Sequence, residues 1–174
     1  MSNSGSVSPD QEPLEIERKF LITYPDLKWL SAQPGGRQVE IIQTYLLSES
    51  GERRRVRSWR EKDKTRYIRT LKRSLTDRTR VEVEDEVSFE EYNSLLKEAD
   101  PERHPLKKTR WCIPFGSHLL EIDLYPFWSE QAILEVELKS EDEEFLIPPE
   151  IQVIREVTDD SRYLNSSLAR ELPE

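Results

Sequence analysis

Short stretches of this chain repeatedly place a charge at every second position. In the first, Glu15, Glu17 and Lys19 alternate with Ile16, Arg18 and Phe20; in the last, Glu135 and Glu137 alternate with Leu134, Val136 and Leu138. A period of two belongs to the β-strand, whose successive side chains point to opposite faces. The strands predicted on this basis are Leu14–Ile22, Gln38–Leu47, Arg53–Arg60, Thr65–Lys72, Thr79–Ser88, Leu106–Cys112, His118–Tyr125 and Ala132–Leu138. Turn-forming clusters such as "SESGE" and "SLTD" separate them. So many consecutive strands at close spacing predict an antiparallel meander that can close into a barrel.

Helices are fewer, which makes the chain α+β. "PDLKWLSAQ" predicts a short helix near the start, and "SFEEYNSLLKEAD" a second whose Ser88 and Glu91 have capping-box spacing. "DDSRYLNSSLAREL" puts Tyr163, Leu164, Ser167 and Leu168 on one stripe and predicts a docked C-terminal helix. Residues 1–13 are small, polar and bounded by proline, and read as a disordered tail. That leaves 14–174 as a single domain.

Composition narrows the class. No apolar run approaches the ~20 residues of a membrane span, and the start of the chain lacks a signal-peptide core. Cys112 is alone and only His104 and His118 accompany it, which argues against a disulfide and a structural zinc site. The expectation is a soluble, cytoplasmic protein with no membrane partner. Net charge is -9, yet residues 53–80 hold 13 of the 26 Lys and Arg against three acids. A basic centre in an acidic chain points to a local anion site and away from general nucleic-acid binding.

The charged faces carry the chemistry. Arg53, Arg55 and Arg57 share one face, as do Arg80, Glu82, Glu84 and Glu86; Lys72, the Lys108–Arg110 pair and the Glu121–Asp123 pair continue the pattern. For any one strand the ordinary reading is a sheet with charged residues outward. Two features of the set argue otherwise: glutamates recur at i, i+2, and acids and bases are segregated by strand. Inside a closed barrel, carboxylates would hold a hard divalent cation while Arg and Lys meet phosphoryl oxygens. Alternative sites are poorly supported. The five glycines form neither GxGxxG nor GxxxxGK[ST]. Both histidines read as structural. Trp59 is able to stack on a base, though burial is the commoner role.

"EIERKFL" resembles the ExExK signature of the CYTH superfamily, the triphosphate tunnel metalloenzymes. "QTYL", "RVR", "TLKR", "RVEVE", "KKTR", "EIDLY", "LEVEL" and "EVTDDSRYLN" follow in the family's order, over residues 14–170. The resemblance is closest to small bacterial inorganic triphosphatases. It implies an eight-stranded antiparallel barrel forming a tunnel, flanked by a few helices and a C-terminal helix. It also implies Mg²⁺- or Mn²⁺-dependent cleavage of triphosphates.

Carried over by position, Glu15, Glu17, Glu135, Glu137 and Asp123 would hold metal. Lys19, Arg55, Arg57, Lys72, Arg80, Lys108, Arg110 and Arg162 would hold phosphate, Arg162 at one tunnel mouth. Glu82 and Glu84 would be further tunnel acids. A Lys108–Tyr45 pair is implied as catalytic, because an ammonium beside a phenol favours phenolate. Thr44, where relatives often carry Gly, bears on that pairing. The substrate expected is a small-molecule triphosphate, most simply inorganic tripolyphosphate, bound by a monomer or homodimer. Thiamine triphosphatase, adenylyl cyclase and a non-catalytic polyphosphate or RNA binder remain as alternatives.

Overall fold

A computed structural model describes residues 14–76 and 79–174, without the side chains of Leu14, Glu15 and Arg80; the expected tail, 1–13, lies outside the described residues. The strands are β1 (Leu14–Thr23), β2 (Arg37–Leu46), β3 (Glu52–Glu61), β4 (Lys64–Ser74), β5 (Thr79–Val87), β6 (Leu106–Phe115), β7 (His118–Leu124), β8 (Gln131–Leu138) and β9 (Val153–Glu156). All neighbouring strands are antiparallel, in the order β5-β4-β3-β2-β6-β7-β8-β1-β9. Leu14, Glu15 and Ile16 of β1 also pair with Val81, Arg80 and Thr79 of β5. This short seam joins β1 to β5 and makes β1–β8 a ring.

The alternation resolves into an outside and an inside. Phe20, Ile22, Ile113, Leu120, Ile122, Leu134, Val136 and Leu138 form the main apolar cluster, with Leu30 of α1 (Leu27–Ser31) and Ile151. Ile22, Leu120, Ile122, Leu134 and Val136 are fully buried. Their outward faces are therefore covered by α1 and by the chain between β8 and β9. A second cluster joins Leu46, Val56 and Val87 to Tyr92 and Leu95 of α2 (Phe89–Leu95). These two apolar clusters thus lie on the outer surface of the barrel wall. The opposite parity of each strand, which carries the charges, is left for the lumen.

Local chemistry sets the joints. Ser88 caps α2 by accepting a hydrogen bond from the Glu91 amide at 3.1 Å, as the sequence predicts. Gly116, in the two-residue turn between β6 and β7, has φ +61, where an L-residue is strained.

Two elements differ from the sequence reading. The ninth strand, β9, pairs with β1 beyond the seam. The predicted C-terminal helix is broken: a 3-10 turn at Ser161–Tyr163 is followed by extended Leu164 and then the four-residue α3 (Asn165–Leu168). Tyr163 and Leu168 are buried as expected, but Ser166 is the buried serine in place of Ser167. No helix among the described residues is long and apolar enough to cross a membrane.

Candidate active site

Every strand of the ring contributes to one cavity of about 460 Å³. Its basic wall is β3 and β4. Arg53, Arg55, Arg57 and Trp59 line it from β3, and Arg66 and Lys72 from β4. Antiparallel register sets Arg53 opposite Lys72, so cations concentrate where the two strands meet.

The price of this concentration is visible at Arg57. It is 4% exposed, and burial, then the neighbouring Arg55, lower its pKa to about 10. Glu84 accepts from it at 2.6 Å, and its Nε has no hydrogen-bond partner among the described residues. A buried guanidinium beside another guanidinium, with a donor to spare, favours an anion.

The acidic wall is β5, β7, β8 and β1. Glu82 and Glu84 line the cavity from β5, Glu121 from β7, Glu135 and Glu137 from β8, and Glu17 from β1. Register places Glu17 directly opposite Glu137, and Glu121 opposite Glu135. Directly opposed like charges destabilise a sheet unless something offsets them. For Glu135 the offset is local. Burial alone would raise its pKa, but Lys19, at 3.3 Å, together with Arg110, Lys108 and Lys72 holds it well below the usual carboxylate range. Glu121 goes the other way, raised by burial against the pull of Arg110.

Do these residues fit a divalent cation? Among the described residues no group of three or more Asp, Glu, His or Cys is drawn together as a ready-made metal cage. Paired carboxylates on adjacent strands, facing a phosphate-binding wall, nevertheless match Mg²⁺. That ion is commonly bound by one or two carboxylates with substrate phosphates and water supplying the rest. The donor set fits on that basis.

The structure distributes the expected site residues unequally. Glu17, Lys19, Tyr45, Arg55, Arg57, Lys72, Glu82, Glu84, Arg110, Glu135 and Glu137 all line the cavity. The side chains of Glu15 and Arg80 lie outside the described residues, although their backbones pair at the seam.

Asp123, expected among the metal carboxylates, is fully buried behind the wall and does not line the cavity. Its oxygens accept from Lys108 at 2.8 Å and from Arg110 at 2.7 and 2.9 Å. Both of its oxygens are thus engaged by those two bases. Lys108 is also behind the lining, with burial lowering its pKa to about 8 against the opposing pull of Asp123.

Among the described residues no hydrogen bond joins the expected Lys108–Tyr45 pair. Lys108 sits opposite Ile41, four residues from Tyr45 along β2, and the Tyr45 hydroxyl accepts instead from Gln43 at 2.6 Å. Arg162 does not line the cavity either, because its guanidinium folds onto Asp160 at 2.7 and 2.9 Å. Leu164, Asn165 and Ser166 are the parts of the terminal segment that reach the lining.

Residues left out of the expected site include Arg53, Arg66 and Glu121. Arg53 and Glu121 share the alternation of their neighbours, so the signal for them was present. Arg66 lies opposite Trp59 on β4, and only the pairing of β3 with β4 brings it in.

The family model for the CYTH domain matches residues 13–167. An inorganic triphosphatase of Acetivibrio thermocellus is 32% identical over 90% of this chain and 93% of its own. One of Nitrosomonas europaea is 34% identical over 91% and 99%. Among solved structures, the inorganic triphosphatase NE1496 aligns with TM-score 0.56 and 30% identity, covering 92% of this chain and 97% of that one. The PH1819 protein of Pyrococcus horikoshii aligns with TM-score 0.55 at 18% identity over 74% and 80%, a likeness of fold alone. With the signature glutamates and lysine on one barrel strand and the family match spanning nearly its whole length, the chain belongs to the CYTH domain family.

Proposed function

We propose that this protein is a divalent-metal-dependent triphosphatase that hydrolyses inorganic tripolyphosphate to pyrophosphate and phosphate, using Mg²⁺ or Mn²⁺. The observation that carries the reading is the facing of the two walls: a row of arginines and lysines across one enclosed cavity from paired glutamates. The names of the relatives, inorganic triphosphatases at 32% and 34% identity, support the same reaction.

In this reading Arg55, Arg57, Lys72, Lys19 and Arg110 bind the phosphate chain, joined by Arg80 from the seam. Because these donors are already fixed in a low-dielectric cavity, they stabilise charge on the transferred phosphoryl group without reorganising. Glu17, Glu137 and Glu135, with Glu15, hold the cation. When bound, it supplies positive charge at phosphate oxygens and lowers the pKa of a coordinated water. Asp123 acts at one remove, orienting Lys108 and Arg110. Water adds to a terminal phosphorus, the bridging P–O bond breaks, and pyrophosphate leaves.

The test is phosphate release from tripolyphosphate, ATP and thiamine triphosphate, each with Mg²⁺ or Mn²⁺ and with EDTA. Tripolyphosphate is expected to be the best substrate, with EDTA abolishing release. Release that persists in EDTA, or that favours an organic triphosphate, would overturn the reading.

A further inference from the structure

At its Trp59 end the cavity abuts a larger recess of about 830 Å³, and Trp59 and Arg66 line both. The β3–β4 hairpin supplies Glu61, Lys62, Asp63 and Lys64 to this recess, with Arg37 and Trp111 from β2 and β6. Arg37 is engaged by Glu61 at 3.0 Å and Arg66 by Glu86 at 3.2 Å. The side chains of Lys62 and Lys64 have no ion-pair partner among the described residues. Lys62 also has φ +55, the only non-glycine residue with positive φ among those described. A two-residue hairpin turn normally puts Gly, Asn or Asp there, so this long side chain sits on a backbone conformation that does not favour it.

The far end of the barrel is built differently. Leu21, Leu106, Tyr125, Ile133, Tyr163 and Leu168 pack together there. Lys19 donates to the Tyr163 carbonyl at 3.3 Å and Arg103 to the Ser166 carbonyl at 3.0 Å, tying the terminal segment down. Arg53, six residues from Trp59 along β3, feels the charges of Arg103 and Arg170 at this end.

We propose that the Trp59 recess is the door by which polyanionic substrate reaches the cavity, and that Lys62 and Lys64 capture it there. Two unpaired cations at the rim of a concave, low-dielectric mouth raise the local concentration of a polyanion and speed association. They stand outside the reacting cavity, so they act on arrival and not on chemistry. The proposal rests on the triphosphatase reading for the identity of the polyanion.

The experiment compares wild type with the Lys62→Asn, Lys64→Gln double variant, asparagine being tolerant of positive φ. For tripolyphosphate with Mg²⁺, kcat/KM at low ionic strength is expected to fall about five-fold with kcat unchanged, and the gap to close at high salt. An unchanged kcat/KM and salt slope would overturn the proposal in favour of the smaller recess of about 300 Å³ that meets the cavity at Ser74 and Leu164. An equal fall in kcat would overturn it too, by placing the lysines in the chemistry. Stopped-flow tryptophan fluorescence with tripolyphosphate in EDTA reads the same step without turnover. If wild type does not hydrolyse tripolyphosphate, the functional reading fails, while slower association in the double variant still supports the door and equal association removes it.

Discussion

A lysine that is 2% exposed needs a carboxylate to remain charged, and Lys108 has Asp123. Burial nevertheless lowers its pKa to about 8, with Asp123 opposing. Its ammonium, the form that pairs with Asp123 behind the cavity wall, dominates below that value and is lost above it. The unfolded chain keeps the proton to about 10.4. Between the two values the unfolded state binds more protons, so this group makes folding more favourable as pH rises while its charge is lost. We therefore predict an alkaline fall in kcat/KM with an apparent pKa near 8, moved upward in Lys108→Arg; an unmoved limb would assign it to another group. At the acidic wall, Glu17→Gln and Glu135→Gln are each expected to lower turnover by ~100-fold or more with the protein still folded by circular dichroism. Full activity in either would remove that residue from the metal set. Most of these side chains were legible because a period of two assigns inwardness to every second residue. What alternation cannot reveal is depth: Asp123 and Glu121 have the same parity, yet one is sealed behind the wall and the other lines the cavity. Arg162 shows another limit, since a local carboxylate two residues away captured it.

Among the elements, α2 was the most readable, because its start is written in side-chain chemistry. Ser88→Ala should remove the bond to Glu91 and cost about 1 kcal/mol, a fall of about 3 °C in Tm. Since α2 packs on the outer face against Val56 and Val87, kcat should be untouched. A matching loss of activity would mean that the outer layer positions the lumen. β9 was missed for a physical reason: all four of its residues are exposed, so no buried face imposes a pattern on "VIRE". In the terminal segment the sequence pattern implies one helix where the structure has a 3-10 turn and a short α3. Its stripe is real in that Tyr163 and Leu168 are buried, but extended Leu164 breaks the backbone between them and no side chain caps α3. Burial of a few anchors is sufficient to fix such a segment, and helical spacing in the sequence does not require a helix.

For the whole molecule, the relevant charge is that of the cavity, not the net -9 of the chain. Among the described residues seven bases and six acids line it, so the charge of the lining itself is close to balanced. A tripolyphosphate entering alone would make this enclosed space strongly negative, and a divalent cation entering alone would make it positive. Each is therefore expected to favour the other, a coupling that linkage makes reciprocal and that is typically about 1–3 kcal/mol. It can be measured without turnover by thermal unfolding with Mg²⁺, with a methylene-bridged tripolyphosphate analogue, and with both, ionic strength being held constant. Stabilisation by both together should exceed the sum of the separate effects, because each ligand binds the folded state more tightly when the other is present. Glu17→Gln should shrink the excess while leaving the analogue's own effect in place, since it weakens the acidic wall and spares the basic one. Strict additivity in the wild type would mean that anion and cation occupy independent sites, and the two facing walls would then not form one catalytic chamber.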